Sequence, residues 1–353
     1  MLPYLGPYYG NPSALHRLGR LGRGAIDRAR AQVAALVAVR PEQVIFTSGG
    51  TEASNLALSG LASQFETACL LSGRTEHPSV SEPLDLLARA RGWERRYLPI
   101  APDGHHGLPE DASLTGVPVI AALMLANNET GILEDPAPLA AKVREFGGVL
   151  HVDAVQAAGK IPVDFGALGA HTLSLSAHKI RGPKGVGALI RNLDVPLSPL
   201  TVGGGQEMGF RPGTENVAGI VGFGVAAEWA RLELEARSRH LLDLRERLIQ
   251  GLQAFSGVTL HGIAALRLPN TVQFSLPGWD GEALVMALDR LGFLVSSGSA
   301  CASGGNEPSP ILMAMGVPAD VARGAVRISF GVENDIADVD AFLEALRGLQ
   351  SVF

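Results

Sequence analysis

Cysteine is almost missing from this chain: Cys69 and Cys301 are the only two among 353 residues. Two cysteines build no disulfide framework and supply no clustered ligands for a structural zinc site. Nor does any apolar run approach the roughly 20 residues that span a bilayer, so no membrane is expected. The N-terminus lacks a charged stretch leading into an apolar core and cleavage site, which gives a cytoplasmic expectation. An excess of positive charge is absent too. The formal net charge is −6, which argues against nucleic acid as a main partner. The most useful scarcity is that of lysine. Lys142, Lys160, Lys179 and Lys184 are the only four among 29 basic residues. A lysine kept where arginine is otherwise used suggests an amine that must lose its proton, which guanidinium cannot do.

What is present has the composition of a globular enzyme, 46% hydrophobic and 18% charged, and long enough for two domains. From residue 40 onwards, short apolar runs alternate with amphipathic patterns. Strands are expected near residues 44–46, 68–71, 94–98, 117–125, 149–152, 173–175 and 186–190. Helices are expected near 52–61, 80–91 and 136–146. That alternation predicts crossover units and an α/β fold with a mainly parallel sheet. Residues 219–255 read as one long helical spine, with Glu235 and Arg239 spaced to pair on its surface. Strand, helix, strand and helix follow at 270–276, 281–291, 325–330 and 335–349, a small α+β domain. The expected division is a large domain of residues 11–239 and a small one of residues 1–10 with 240–353.

The four lysines are not equivalent. Ser176-Ala177-His178-Lys179 stands where a short strand runs out, ahead of the turn Gly182-Pro183-Lys184-Gly185. An amine at the mouth of an α/β strand points to a Schiff base and so to pyridoxal 5′-phosphate (PLP). An ordinary surface lysine is the alternative. PLP needs an amine, an anion site, an acid for its pyridine nitrogen and a flat contact for its ring. Thr47-Ser48-Gly49-Gly50-Thr51-Glu52 joins a strand to a helix, where free N–H groups and the helix dipole favour an anion. A plain tight turn would read the same way. Ser176 and His178 add donors. His151-Val152-Asp153-Ala154-Val155-Gln156 ends a strand with a carboxylate placed to hold a pyridinium proton, or else to cap a helix. Gln156 stands in reach of the ring's phenolic oxygen.

His77, in Arg74-Thr75-Glu76-His77-Pro78, and Asn127-Asn128-Glu129-Thr130-Gly131 complete four polar clusters at strand ends. Parallel folds bind ligands at that edge. The turns around Gly182 and Gly203-Gly204-Gly205 match neither a P-loop nor a dinucleotide fingerprint. No paired histidines or carboxylate cluster suggest a catalytic metal. Cys301 lies inside Ser296-Ser297-Gly298-Ser299-Ala300-Cys301-Ala302-Ser303-Gly304-Gly305, small residues that leave a thiol accessible as a nucleophile. Cys69, beside Leu70 and Leu71, reads as structural. A thiol paired with a PLP site suggests attack on a substrate sulfur.

Together these blocks resemble the cysteine desulfurases among the fold-type I PLP enzymes of aminotransferase class V. The resemblance runs from Tyr8-Tyr9-Gly10-Asn11-Pro12-Ser13 to the C-terminus and includes Arg211-Pro212-Gly213-Thr214 and Ser297-Gly298-Ser299-Ala300-Cys301. The cysteine loop, followed by Glu307-Pro308-Ser309, is similar to the long-loop branch serving nitrogen fixation and iron–sulfur assembly. The resemblance implies a large domain with a mainly parallel seven-stranded sheet between helices, plus a small α+β domain. It implies conversion of L-cysteine to L-alanine, with sulfur left on Cys301 as a persulfide for a sulfur-acceptor or iron–sulfur scaffold protein.

By position, the resemblance makes Lys179 the Schiff-base lysine and Asp153 the partner of the pyridine nitrogen. It has His77 stacking on the ring and moving protons, and Gln156 contacting the phenolic oxygen. Gly50, Thr51, Ser176 and His178 would hold the phosphate. Thr214 would reach the phosphate of a partner subunit in an obligate homodimer. Asn128 and Arg327 would bind the substrate carboxylate, with Asn128 also beside the cofactor. Two departures stand out. Family members carry an Ala-Thr-Thr-Pro strand ahead of the equivalent of Met1-Leu2-Pro3-Tyr4, and its absence here is expected to cost activity or N-terminal stability. Pro212 stands where serine is common and should stiffen its loop. Two other readings stay open. One is a class V relative with another reaction, such as selenocysteine lyase or an aminotransferase. The other is a non-catalytic partner in iron–sulfur assembly.

Overall fold

Short runs of aliphatic residues become the strands β1 (Val44–Thr47), β2 (Cys69–Ser72), β3 (Arg95–Tyr97), β4 (Val119–Met124), β5 (Val149–Asp153), β6 (Thr172–Ser176) and β7 (Gly187–Arg191). The computed structural model describes residues 1–111, 114, 116–298 and 307–350. The seven strands lie in the order β1-β7-β6-β5-β4-β2-β3. From β3 to β6 every neighbour is parallel, while β7 runs antiparallel to both β6 and β1. The register sets Met124 opposite Asp153, and Asp153 opposite Ser174.

A mainly parallel sheet needs cover on both faces. Helices α3 (Gly50–Ala62) and α4 (Pro78–Arg91) bury Leu56, Leu61, Val80 and Leu84 against Ile45, Leu70 and Ile120 of the sheet. Side chains alternate along a strand, so Phe46 faces the other way from Ile45. There it meets Phe223 of α6 (Val217–Leu232) edge-on at 6.3 Å, and α6 packs with α2 (Arg17–Leu36). Helix α5 (Pro136–Glu145) starts as its sequence dictates: Pro136 sits at its first turn and the Asp135 side chain accepts from the Ala137 N–H at 3.1 Å.

The chain divides into two units. The first comprises Met1–Pro99, Leu108–Leu125 and Glu134–Leu234. The second comprises Ile100–Gly107, Ala126–Leu133 and Glu235–Phe353. Residues 1–10, expected in the smaller unit, therefore belong to the larger one. The reason is local. Helix α1 (Leu2–Leu5) lies against α6, with the Met1 side chain over Gly222, and the Tyr4 and Tyr8 rings pack 6.0 Å apart. The expected helical spine is likewise interrupted. Helix α6 ends at Leu232, the Glu233 N–H closes onto Trp229 O at 3.0 Å, and α7 (Leu234–Leu252) starts afresh. Glu235 and Arg239 do pair, at 2.6 Å, but both are exposed and add at most about 0.5 kcal/mol.

The second unit has a four-stranded antiparallel sheet of β8 (Thr259–Leu260), β9 (Thr271–Ser275), β10 (Ser296–Ser297) and β11 (Ala325–Ser329), in the order β10-β11-β9-β8. Helices α7, α8 (Gly281–Arg290) and α11 (Ile336–Gln350) supply its core, where Leu248, Leu284, Phe342 and Leu346 close over Val272, Phe274 and Val326. Two short helices, α9 (Pro310–Ala314) and α10 (Ala319–Arg323), precede β11. Among the described residues, no helix is long and apolar enough to cross a membrane.

Candidate active site

In the first unit, the polar clusters gather where β1, β2, β5 and β6 end. After β1, Thr47 Oγ1 donates to Gly49 O at 2.9 Å and the Ser48 N–H donates to Glu52 Oε2 at 2.7 Å. These bonds shape the turn that opens α3. A Cβ on Gly50 would fall 2.8 Å from Val155 Cγ2 and 3.6 Å from Ser176 Cβ, so only glycine lets the helix start lie this close to β5 and β6. Nothing lies within 4 Å of the equivalent point at Gly49. The first-turn N–H groups of α3 have no intrahelical acceptor, and Gly50 brings this helix start beside Ser176. Glu52 is only half-buried. Burial raises its carboxyl, but hydrogen bonds from Ser48 and Arg211 outweigh that and hold it below the ordinary range.

Strand β6 runs straight into a 3₁₀ turn over Ala177–Ile180 that carries His178 and Lys179, both exposed. Ser176 Oγ lies 2.9 Å from His178 Nδ1, which joins two of the expected phosphate donors. Arg181 ends the turn with a left-handed backbone, φ 69°, and directs the chain back into β7.

Asp153, at the end of β5, is buried. Its Oδ1 accepts the Val155 N–H at 2.9 Å and its carboxylate is hydrogen-bonded to the Ser174 side chain. Burial raises this carboxyl, and the Val155 N–H, His77, Ser174 and Lys179 oppose the rise without cancelling it. His77 caps α4 after β2. Its Nδ1 accepts the Ser79 N–H at 3.0 Å, which leaves Nε2 as the nitrogen that carries the proton in the neutral ring. Burial lowers His77, the Asp153 charge pulls it up and Lys179 pushes it down, so the imidazole is neutral at neutral pH. His77, Asp153 and Lys179 are therefore close enough to feel one another's charge.

Gln156 is not free. Lys160 Nζ donates to its backbone oxygen at 2.7 Å and to its Oε1 at 2.9 Å, which fixes the amide and leaves Nε2 as the available donor. Thr214 is exposed and lines a groove with Tyr4, Tyr8, Tyr9 and Asn11. Cys69 is buried in β2, and burial pushes its thiol up, as suits a structural cysteine.

In the second unit, Arg327 of β11 donates to Asn128 O at 2.7 Å and to Ser296 Oγ at 3.1 Å. Asn128 Oδ1 is buried and has no hydrogen-bond partner among the described residues. The adjacent Glu129 accepts from Ser309 Oγ at 2.6 Å and Gln273 Nε2 at 3.2 Å. The two residues expected to bind the substrate carboxylate are thus in contact. Cys301 lies outside the described residues.

Residues 1–342 match the family model of class-V aminotransferases. The chain belongs to the aminotransferase class-V family. The cysteine desulfurase IscS of Dictyoglomus turgidum is 40% identical over 351 residues, covering 98% of this chain and 89% of its own length. The IscS-like cysteine desulfurase of Mycobacterium tuberculosis is 41% identical over 349 residues, covering 96% and 89%. Among solved structures, a NifS-like protein superposes with a TM-score of 0.91 at 34% identity, covering all of this chain and 94% of its own. An apo cysteine desulfurase from Thermococcus onnurineus superposes at 0.88 and 25% identity, covering 99% and 90%.

Class-V enzymes of this group are PLP-dependent, and the residues present fit that cofactor. The glycine-only approach at Gly50, the open space over Gly49, and the Ser176–His178 pair make a cradle for a phosphate dianion. A buried carboxylate and an amine stand within electrostatic reach of each other beside it. Sequence reasoning missed Lys160 as the partner of Gln156. No local pattern signalled that pairing, because residues 155–160 fold as turns and the helical pairing rule does not reach them. The burial of Glu76, beside His77 in the chain, leaves no mark in the sequence either.

Proposed function

We propose that this chain is a cysteine desulfurase that takes sulfur from L-cysteine, releases L-alanine and leaves the sulfur on Cys301 as a persulfide. The observation that carries the reading is the grouping of Lys179, buried Asp153 and neutral His77 beside an anion-binding turn. The curated relatives that bear the name cysteine desulfurase match nearly the whole chain and support it. The protein works in the cytoplasm as a homodimer and passes the sulfur to an acceptor or iron–sulfur scaffold protein.

Lys179 is the residue that holds the cofactor. The N–H groups of Gly50 and Thr51, with Ser176 and His178, hold its phosphate, and Thr214 is offered to the phosphate of a second copy. Asp153 keeps the proton on the pyridine nitrogen, and a cation there favours its ionised form. Gln156, its oxygen held by Lys160, donates from Nε2 to the phenolic oxygen. Bound PLP supplies an electron sink conjugated to the substrate's amine. His77 would contact the ring and move a proton at Nε2, because Nδ1 is occupied by the Ser79 N–H. Arg327, backed by Asn128, holds the substrate carboxylate. The Cys301 thiolate attacks the substrate sulfur. The S–S bond forms as the Cβ–S bond breaks, and the carbon keeps the bonding pair and takes a proton to give alanine.

The test is to supply L-cysteine with a reductant and measure alanine and sulfide. Equal amounts are expected. Cys301→Ala should keep its cofactor and lose sulfide release, while Cys69→Ala should lose neither. A Cys301→Ala enzyme releasing sulfide at the wild-type rate ends the reading.

A further inference from the structure

Glu207 and Met208 are consecutive residues in the left-handed region, at φ 47°, ψ 44° and φ 59°, ψ 24°. Neither is glycine, although Gly203-Gly204-Gly205 stand just before them. Such backbone persists only where its surroundings over-determine it, and it concentrates at ligand sites. What holds it here is one carboxylate. The Glu207 side chain, 2% exposed, accepts from both terminal guanidinium nitrogens of Arg30 at 2.6 and 2.7 Å, and from the Phe46 N–H at 2.8 Å. Arg30 also donates to Val44 O at 2.6 Å and lies over the Phe46 ring. Every one of these contacts ends on β1 or on the arginine that grips it.

Strand β1 leads directly into the turn at residues 47–51. A second carboxylate connects the same two segments further on. Glu52 takes the Ser48 N–H at 2.7 Å with one oxygen and Arg211 Nε at 3.0 Å with the other. Thr47, Ser48, Glu207, Arg211 and Gly213 consequently line one narrow cleft. Thr214 follows immediately. A buried ion pair is a poor device for stability alone, since an apolar pair of like volume serves as well or better. It is a good device for fixing register. We propose that Glu207 is a positioning residue for the cofactor's phosphomonoester: through β1 and through residues 207–214 it sets both the turn at 47–51 and Thr214. The inference rests on the reading of that turn as the phosphate site.

The experiment compares PLP with pyridoxal, which carries the same aldehyde and ring but no phosphate. Full-length wild type, Glu207→Gln and Glu52→Gln are stripped of cofactor and titrated with each ligand by absorbance. Wild type should prefer PLP strongly. Glu207→Gln should lose about tenfold of that preference, the scale of one charge-assisted hydrogen bond, while binding pyridoxal within about twofold of wild type. Unimpaired pyridoxal binding shows that the variant is folded. Glu52→Gln should shift the preference in the same direction. Equal losses for both ligands, or an unchanged preference in both variants, overturn the positioning role while leaving the phosphate site intact. A wild type with no preference for PLP overturns the phosphate reading, and this inference with it.

Discussion

The Met124 N–H donates to Glu76 Oε1 at 2.8 Å, and Met124 is the cross-strand neighbour of Asp153. Glu76 thus sits one residue before His77 and one strand from the carboxylate assigned to the pyridine nitrogen. It is buried, and its Oε2 has no hydrogen-bond partner among the described residues. Burial pushes its carboxyl up to about 8, the Met124 N–H opposes the rise, and the Asp153 and Glu134 charges add to it. Glu76 is therefore a neutral acid at pH 7, which spares Asp153 a second negative charge nearby.

This has a consequence for stability. An unfolded glutamate titrates near 4.5, so the folded chain binds the extra proton between about pH 4.5 and 8. The contribution is complete below 4.5 and is lost as pH rises through 8, a span on the order of 5 kcal/mol at most. Glu76→Gln removes the titration. Urea midpoints measured at pH 5 and pH 8.5 should fall further in wild type than in the variant. Parallel falls would remove Glu76 as the cause.

Borohydride reduction of the holoenzyme should place the pyridoxyl label on Lys179. Lys160 is committed to Gln156 through two hydrogen bonds, and Lys184 lies in the Gly/Pro turn beyond Arg181. Only Lys179 acts on both His77 and Asp153. Peptide mapping that finds the label on Lys160 or Lys184 would refute the assignment. Lys160→Met should keep the label on Lys179 but shift the visible absorption, because Gln156 loses the contact that fixes its amide.

Much of this was legible in the sequence because it depends on local pattern. The alternation of apolar runs gave the seven strands to within a few residues, and polar residues at strand ends marked the site. Helix α2 was not foreseen. Its buried residues Gly22, Ala25, Ile26, Ala29, Val33 and Leu36 do recur at helical spacing on one face, so the signal was present, though carried by small residues among many arginines. The placement of residues 1–10 also escaped, since it depends on Met1 finding α6 more than two hundred residues away. The Arg30–Glu207 clasp leaves no trace at all. Its partners are 177 positions apart, and glutamate beside a glycine run signals neither burial nor a left-handed backbone.

Met208 offers a stability test that leaves the Glu207 carboxylate and its partners in place. Its side chain is 48% exposed, so little burial is lost on truncation. Met208→Gly removes a left-handed penalty of about 1–2 kcal/mol, partly offset by the greater freedom of glycine in the unfolded chain. A net gain of about 0.5–1 kcal/mol is expected in urea unfolding, with the preference for PLP over pyridoxal unchanged. A destabilised variant would show that the Met208 side chain matters more than its backbone.

Ser309 is the N-cap of α9, its Oγ accepting the Leu312 N–H at 3.3 Å while donating to Glu129 at 2.6 Å. Burial raises the Glu129 carboxyl, and the bonds from Ser309 and Gln273 together with the Arg327 charge oppose the rise. Ser309→Ala removes the cap and one of those donors. The expected cost is about 1–3 kcal/mol in the second unit, larger where Glu129 is ionised than where it is protonated. Stability equal to wild type at pH 8.5 would contradict this.

Thr214 should act on the partner subunit's cofactor. The residue is exposed, and the clasps at Glu207 and Glu52 hold its segment in a fixed place. Around it Tyr9 is 83% exposed, and Glu215, paired with Arg23, keeps a buried Oε2 that has no partner among the described residues. An exposed aromatic rim suits the surface of a second copy. Lys179→Ala and Thr214→Ala subunits can be unfolded together, refolded and assayed. If Thr214 serves the other subunit, each hybrid dimer has one site with both residues intact and one with neither. Random pairing then restores about one quarter of wild-type activity. If Thr214 serves its own subunit, no hybrid contains an intact site, and the mixture stays at the average of the two mutants.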